Sequence, residues 1–265
     1  MKKKLRYIIL LMLAVSIIFS CKKDEIALED YSRPVVQGYL IPGNKIEVKV
    51  YYQKYLDDTI AHGFPIKGLE LQVSDGTNSV SLTETSDGVY TYSDTTFVKD
   101  AGTYSLSFNY LGKQIKAETI MPQKPVSFSS SAISQKVPVF SFGTEQEDFV
   151  PVIFRWLNTD GGYYMMVMAN IDEYPSRINT RDPRGYSNVV TILGQVSTYQ
   201  TQQMTFRYAG NYKIKLFRIN KEYVDAMNSS GGTSLNLTNP STNIQNGLGI
   251  FTAMQGEVLD LLVYQ

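Results

Sequence analysis

His62 is the only histidine and Cys21 the only cysteine in a chain of 265 residues, and this bounds the available chemistry. One imidazole cannot build a multi-histidine metal centre. A Ser-His-Asp arrangement would have to use His62, which lies in the loop-like segment Asp57 to Pro65, and the chain has no Gly-x-Ser-x-Gly elbow. His62 therefore reads as a solvated loop residue. Carboxylates cluster at Asp57/Asp58, Glu145/Glu147/Asp148 and Asp172/Glu173. Glycoside hydrolysis needs two carboxyls facing each other at a set separation, which adjacency in sequence does not supply, so these read as loop charges. Asp160-Gly161-Gly162 lacks a series of oxygen ligands at calcium spacing and reads as a tight turn. No phosphate-cradling glycine loop occurs. The expectation is a protein that is not an enzyme, with no catalytic residues, no metal and no cofactor.

Tyrosine is abundant, at 19 residues, and its amphipathic ring suits binding surfaces as well as half-buried strands. Tyr51, Tyr52 and Tyr55 form one candidate ligand-binding group, and Tyr186 and Tyr199 lie in a second loop-rich region. Stacking there would take a glycan or a peptide. Strand alternation accounts for part of the first group, so packing on a sheet face stands beside the binding reading. Asp58-Thr59-Ile60 and Asp94-Thr95-Thr96 resemble short O-glycosylation acceptor motifs, and turns explain both equally.

Cys21 carries the clearest signal. A basic start, Met1-Lys2-Lys3-Lys4-Leu5-Arg6, precedes a 13-residue apolar run from Tyr7 to Phe19 and then Ser20. Spanning a bilayer takes about 20 residues, so residues 1–20 read as an export signal rather than a membrane span. Ile18-Phe19-Ser20-Cys21 resembles a lipobox, with Phe19 bulkier than usual, and Cys21 is the predicted lipidation site. A single acyl chain anchors only marginally, but a lipobox cysteine carries several. Lys22, Lys23, Asp24 and Glu25 resemble the lysine-then-acidic export signal of surface lipoproteins in the Bacteroidota. These readings predict an outer-membrane, lipid-anchored protein facing the cell exterior. Residues 1–20 contain four basic residues and no acidic one, so the remainder carries 21 basic and 25 acidic residues, net −4. That balance gives no electrostatic drive toward nucleic acid.

The elements that must position these residues are short and strand-like. After a tether over 21–33, Val35 to Leu40 and Lys45 to Tyr51 alternate apolar and polar positions around a Pro42-Gly43-Asn44 turn. Leu69 to Val73, Val80 to Leu82, Val89 to Tyr92, Thr103 to Phe108 and Gln114 to Ala117 continue the series, with a turn at Asp75-Gly76. Short strands at this spacing predict an immunoglobulin- or fibronectin-III-like β-sandwich over 34–122. Asp100 to Tyr104 resembles a tyrosine corner, the alternative being a plain strand residue at Tyr104; Leu106 stands where a disulfide cysteine would be. Met121-Pro122-Gln123-Lys124-Pro125 reads as the boundary. The fold class is thus all-β, with a second β-rich domain over 123–265. In it, Val152 to Trp156, Tyr163 to Ile171 (buried on both faces), Asn211 to Ile219 and Glu257 to Tyr264 read as strands. Asn220 to Met227 reads as one short helix, with Asn220 as N-cap and Gly231 and Gly232 ending it.

Leu216 to Tyr223, followed by Asn243-Ile244-Gln245-Asn246-Gly247-Leu248-Gly249-Ile250-Phe251, resembles the C-terminal signature of a Bacteroidota outer-membrane lipoprotein family of unknown function, domain-of-unknown-function family 4249. Val35 to Gly38, Gly88 with Tyr90, and Met121-Pro122 agree with it in layout. The insert from Asn228 to Asn239 is shorter than the family's. The resemblance implies a gene neighbourhood shared with TonB-dependent transporters, and hence an accessory or ligand-capture role beside such a transporter; a structural or adhesive surface protein is the alternative. It carries over no functional residues.

Overall fold

In a computed structural model the described residues are 33–53, 62–138, 147–178, 188–229 and 240–265. Cys21, the Lys22 to Glu25 tail, Tyr55, Asp57 to Ile60, Glu145, Tyr186, Gly231 and Gly232 lie outside them. Among the described residues no helix is long and apolar enough to cross a membrane.

The first strands follow the sequence pattern closely. β1 (Pro34–Leu40) and β2 (Ile46–Tyr52) alternate buried and half-buried positions, because an apolar residue at every second position lays one continuous face on a core. They pair antiparallel across the Pro42-Gly43-Asn44 turn, where Asn44 N–H donates to Ile41 O at 3.1 Å. β3 (Gln72–Ser74), β4 (Ser79–Ser81), β5 (Thr83–Ser86), β6 (Val89–Tyr92), β7 (Thr103–Tyr110) and β8 (Lys113–Ile120) complete the first module. One sheet runs β1-β2-β6-β5 and the facing one β4-β3-β7-β8. Val36, Val48, Val50, Tyr90, Leu106 and Ile115 fill the space between them.

Two local expectations resolve here. Strand pairing begins at Gln72 rather than Leu69, because Leu69 N–H donates to the Tyr90 hydroxyl at 3.2 Å while that hydroxyl donates to Ile66 O at 2.8 Å. Burial pushes the Tyr90 phenol up. Tyr104 is a tyrosine corner: its buried ring brings the hydroxyl to accept Lys99 N–H at 2.7 Å. Tyr104→Phe removes the acceptor and should cost about 1 kcal/mol, measured as a lowered urea midpoint; an unchanged midpoint would show that water replaces the bond without loss.

The second module holds β9 (Val126–Ser130), β10 (Ser134–Lys136), β11 (Ile153–Leu157), β12 (Tyr163–Asn170), β13 (Val189–Gly194), β14 (Thr198–Gln200), β15 (Gly210–Ile219), helix α1 (Lys221–Ser229) and β16 (Leu248–Tyr264). The sheet β14-β11-β9 faces β13-β12-β15-β16. Between them pack Phe154, Trp156, Met166, Met168, Ile214, Leu216 and Leu261. β12 is buried on both faces as its apolar run predicts, since Met165 meets a separate cluster with Ile219, Val224 and Met254 under α1.

β16 is much longer than the Glu257 to Tyr264 strand expected, and it joins the modules. Its first part pairs parallel with β1, Val35 opposite Leu248 through Leu40 opposite Ala253. Its second part pairs antiparallel with β15. One nine-stranded sheet therefore runs through both sandwiches. The expected division at 121–125 marks where the chain leaves the first core, but Ile244, Phe251 and Ala253 return to it.

Candidate functional site

The residues carrying the sequence signature are architectural. Asn243 folds its amide onto two strands: Nδ2 donates to Glu118 O at 3.2 Å and Phe251 O at 2.6 Å, and Oδ1 accepts Phe251 N–H at 3.1 Å. Asn246 Nδ2 donates to Gln114 O at 2.9 Å, and Gln245 and Lys116 exchange backbone bonds. This segment thus clamps β8 to β16. Phe251 is fully buried against Gly38: a Cβ on Gly38 would stand 2.9 Å from its ring. Gly88, at φ +67, is crowded by Pro65 and the Val50 carbonyl. The helix start is a second clamp. Asn220 keeps its backbone carbonyl for Tyr223 and Val224, but its amide reaches out rather than back. Nδ2 donates to Thr119 Oγ1, Ile120 O and Ala253 O at 3.1, 2.8 and 3.3 Å. Glu222 Oε1 accepts from Thr119 and Thr252. The expected N-cap is thus also a junction between α1, β8 and β16, its amide shared by the end of β8 and the interior of β16.

Asp160, Glu147 and Asp172, among the charged candidates, hold loops. Asp160 pairs with Arg218, which lowers the carboxyl's pKa. Asn158 closes the turn around it, accepting Gly162 N–H at 2.8 Å. Glu147 pairs with Lys136 at 2.6 Å, and Asp172 accepts from Asn211 N–H and Nδ2. Asp94 accepts from Thr96 N–H and Oγ1, so Asp94-Thr95-Thr96 is a turn. Tyr199 packs against the second core. Among the described residues no group of three His, Cys, Asp or Glu converges on one point. A shallow polar cleft of about 380 Å³ lies beside β3 and β7, lined by Glu70, Gln72, Asn109 and Gln114 among others. It presents amides and one carboxylate to solvent, with no buried polar group aimed into it.

The aromatic candidates do come together, with partners the sequence did not suggest. Tyr51 stacks on His62, ring centroids 5.2 Å apart at 11°. Tyr52, on the opposite face of β2, meets Tyr110 edge-on at 6.5 Å, and its N–H donates to Phe64 O at 2.8 Å. Leu111 and Gly112 turn β7 into β8 with φ of +48° and +74°. That is the two-residue hairpin turn with both central residues left-handed, which favours Asn-Gly. A leucine there is strained by about 1 kcal/mol, yet its side chain is 70% exposed; Phe64, bonded to Tyr52, is 73% exposed and Tyr52 44%. The result is an apolar, aromatic tip at one end of the first module. The sequence signal that could have found it is a leucine before glycine where a hairpin calls for asparagine.

Burial and the neighbouring Tyr52 hydroxyl push the Tyr110 phenol up to about 12. Folding therefore favours its neutral form. That contribution is complete below the ordinary tyrosine value near 10 and is lost as pH rises from there through about 12. Alkaline spectrophotometric titration should show a late-ionising phenol that Tyr110→Phe removes; an unchanged late phase in the variant would contradict this.

Strand order and site together define a two-module, mainly β sandwich protein with an exposed apolar tip on its first module. The chain belongs to the family described as Domain of unknown function (DUF4249), whose model matches residues 23–257. Among solved structures it is similar to the FN1–FN3 domains of chicken CNTN1, at 12% identity over 72% of this chain and 61% of that one, TM-score 0.28. It is also similar to a two-domain fibronectin type III segment of chicken tenascin, at 9% identity over 70% of this chain and 90% of that one, TM-score 0.22. The chain thus spans about three fifths of the CNTN1 fragment. No curated protein matches it.

Proposed function

We propose that this chain is a non-enzymatic, lipid-anchored accessory protein of the outer membrane that works beside a TonB-dependent transporter, capturing a ligand or shaping the transporter's outer mouth. The observation that carries the reading is the chain's one cysteine, standing at the end of a lipobox-like Ile18 to Cys21 and followed by the Lys22 to Glu25 tail. The engaged carboxylates and the stacked His62 support a binding rather than a catalytic role. The test is a gentle-detergent affinity isolation of the tagged protein from its native membrane. A TonB-dependent transporter recovered in near-equal amount is the expected result; recovery of the protein alone, with uptake unaffected by its deletion, overturns it.

One observation favours a second reading, a structural or adhesive surface protein. β13 ends the nine-stranded sheet among the described residues, and it exposes Val190 and Ile192. Such an edge suits addition of a strand from another chain. Oligomers that persist in detergent and vanish with Val190→Lys would decide for it.

A further inference from the structure

We infer that the tip formed by Tyr52, Phe64, Tyr110 and Leu111 rests on the surface of the lipid bilayer and sets the protein upright on its anchor.

Three features point to a membrane rather than another occupant. The first is the tip's chemistry. Leu111 projects from the hairpin turn and Phe64 from the segment bonded to Tyr52, and two tyrosines beside them meet edge-on. Amphipathic rings beside apolar side chains suit the boundary between headgroups and acyl chains. The second is the strain at Leu111. A left-handed leucine with an exposed side chain contributes nothing to the core, and asparagine would relieve the backbone.

The third feature is where the chain enters. Pro34 pairs with Tyr52, and the Pro34 carbonyl lies close to Gly247, so the polypeptide begins its fold at the tip itself. Only twelve residue steps separate Arg33 from Cys21, at most about 40 Å of extended chain. A lipid on Cys21 therefore joins the fold at this end and keeps it within about 40 Å of the bilayer. From there β1 and β16 run side by side in the same direction. The 17 residues of β16, at about 3.3 Å each, carry the second module roughly 50 Å outward. Tip and anchor are then two contacts at one end of a long body, and the second module is the part presented to a partner.

This inference rests on the lipid-anchor reading for the position of Cys21, but its test does not. The mature chain, residues 21–265 with Cys21→Ser, carries no acyl group and is mixed with phosphatidylethanolamine–phosphatidylglycerol vesicles in a sedimentation assay. It should bind them, and Phe64→Ser with Leu111→Asn should lower the bound-to-free ratio about tenfold, as expected for withdrawing two apolar side chains from the interface. Both positions are exposed and asparagine suits the turn, so the double variant keeps its fold, checked by an unchanged urea midpoint or a higher one. Vesicle binding equal in the two forms, or absent in the parent, overturns the inference. So does a tip-dependent dimer in solution, which would make the occupant a second copy. Mass spectrometry of the protein from membranes separately reports acylation of Cys21. Its absence would remove the anchor while leaving the vesicle result to stand or fall alone.

Discussion

Gly249→Ala should destabilise the protein by about 3 kcal/mol or more, a large share of the roughly 5–15 kcal/mol that holds a folded protein together. Gly249 has φ +91°, in the left-handed region, and a Cβ built there would lie 2.0 Å from the Val36 carbonyl oxygen. The backbone conformation alone costs an alanine about 1 kcal/mol or more. The larger part is the collision, because the atom in the way is backbone and cannot rotate aside. Either β1 and β16 separate, breaking the parallel pairing from Val35 to Ala253, or Gly249 leaves its conformation and drags the Asn243 clamp with it. Urea denaturation measures the loss, and a midpoint within error of the parent's would refute this account of the glycine.

Phe251→Ala should cost about 3–5 kcal/mol, the range for removing a buried aromatic ring, and it should be felt in both modules. The ring is wholly buried in the first core, over Gly38. The chain's single tryptophan, Trp156, lies in the second core. Because β16 belongs to both sandwiches, neither can lose it without exposing the other's face. The expected result is one transition: Trp156 fluorescence and far-ultraviolet circular dichroism shift together in the variant. A biphasic dichroism curve with the Trp156 transition unmoved would show that the modules unfold independently.

These two changes bear on the Asn243 to Phe251 segment as a whole. Asn243, Gly249 and Phe251 stand close in sequence because one short segment must cross from β8 to β1, close the first core and enter the long strand. This segment follows a demanding backbone path, which its asparagine, glycine and phenylalanine serve. The tip needs no such pattern, since its exposed side chains answer to a surface outside the molecule.

Alternation of apolar residues determined the all-β class and most strands: the faces of β1, β2, β7 and β15 are legible because a strand buries every second side chain, and β12 is legible from its continuous apolar run. The tyrosine corner at Tyr104 was legible from its local motif, and Cys21 and the tail from Lys22 to Glu25 depend on sequence alone. Tertiary structure decided what involves residues far apart in the chain. The length of β16 could not be read, because its middle is buried on both faces and shows no alternation. Asn220 stands at the helix start as expected, but its side chain serves Thr119, Ile120 and Ala253, which lie 101, 100 and 33 residues away in the chain. The tip required Tyr52, on one sheet, to meet Tyr110, on the facing sheet, and how two sheets face each other is settled by the whole core rather than by any one segment.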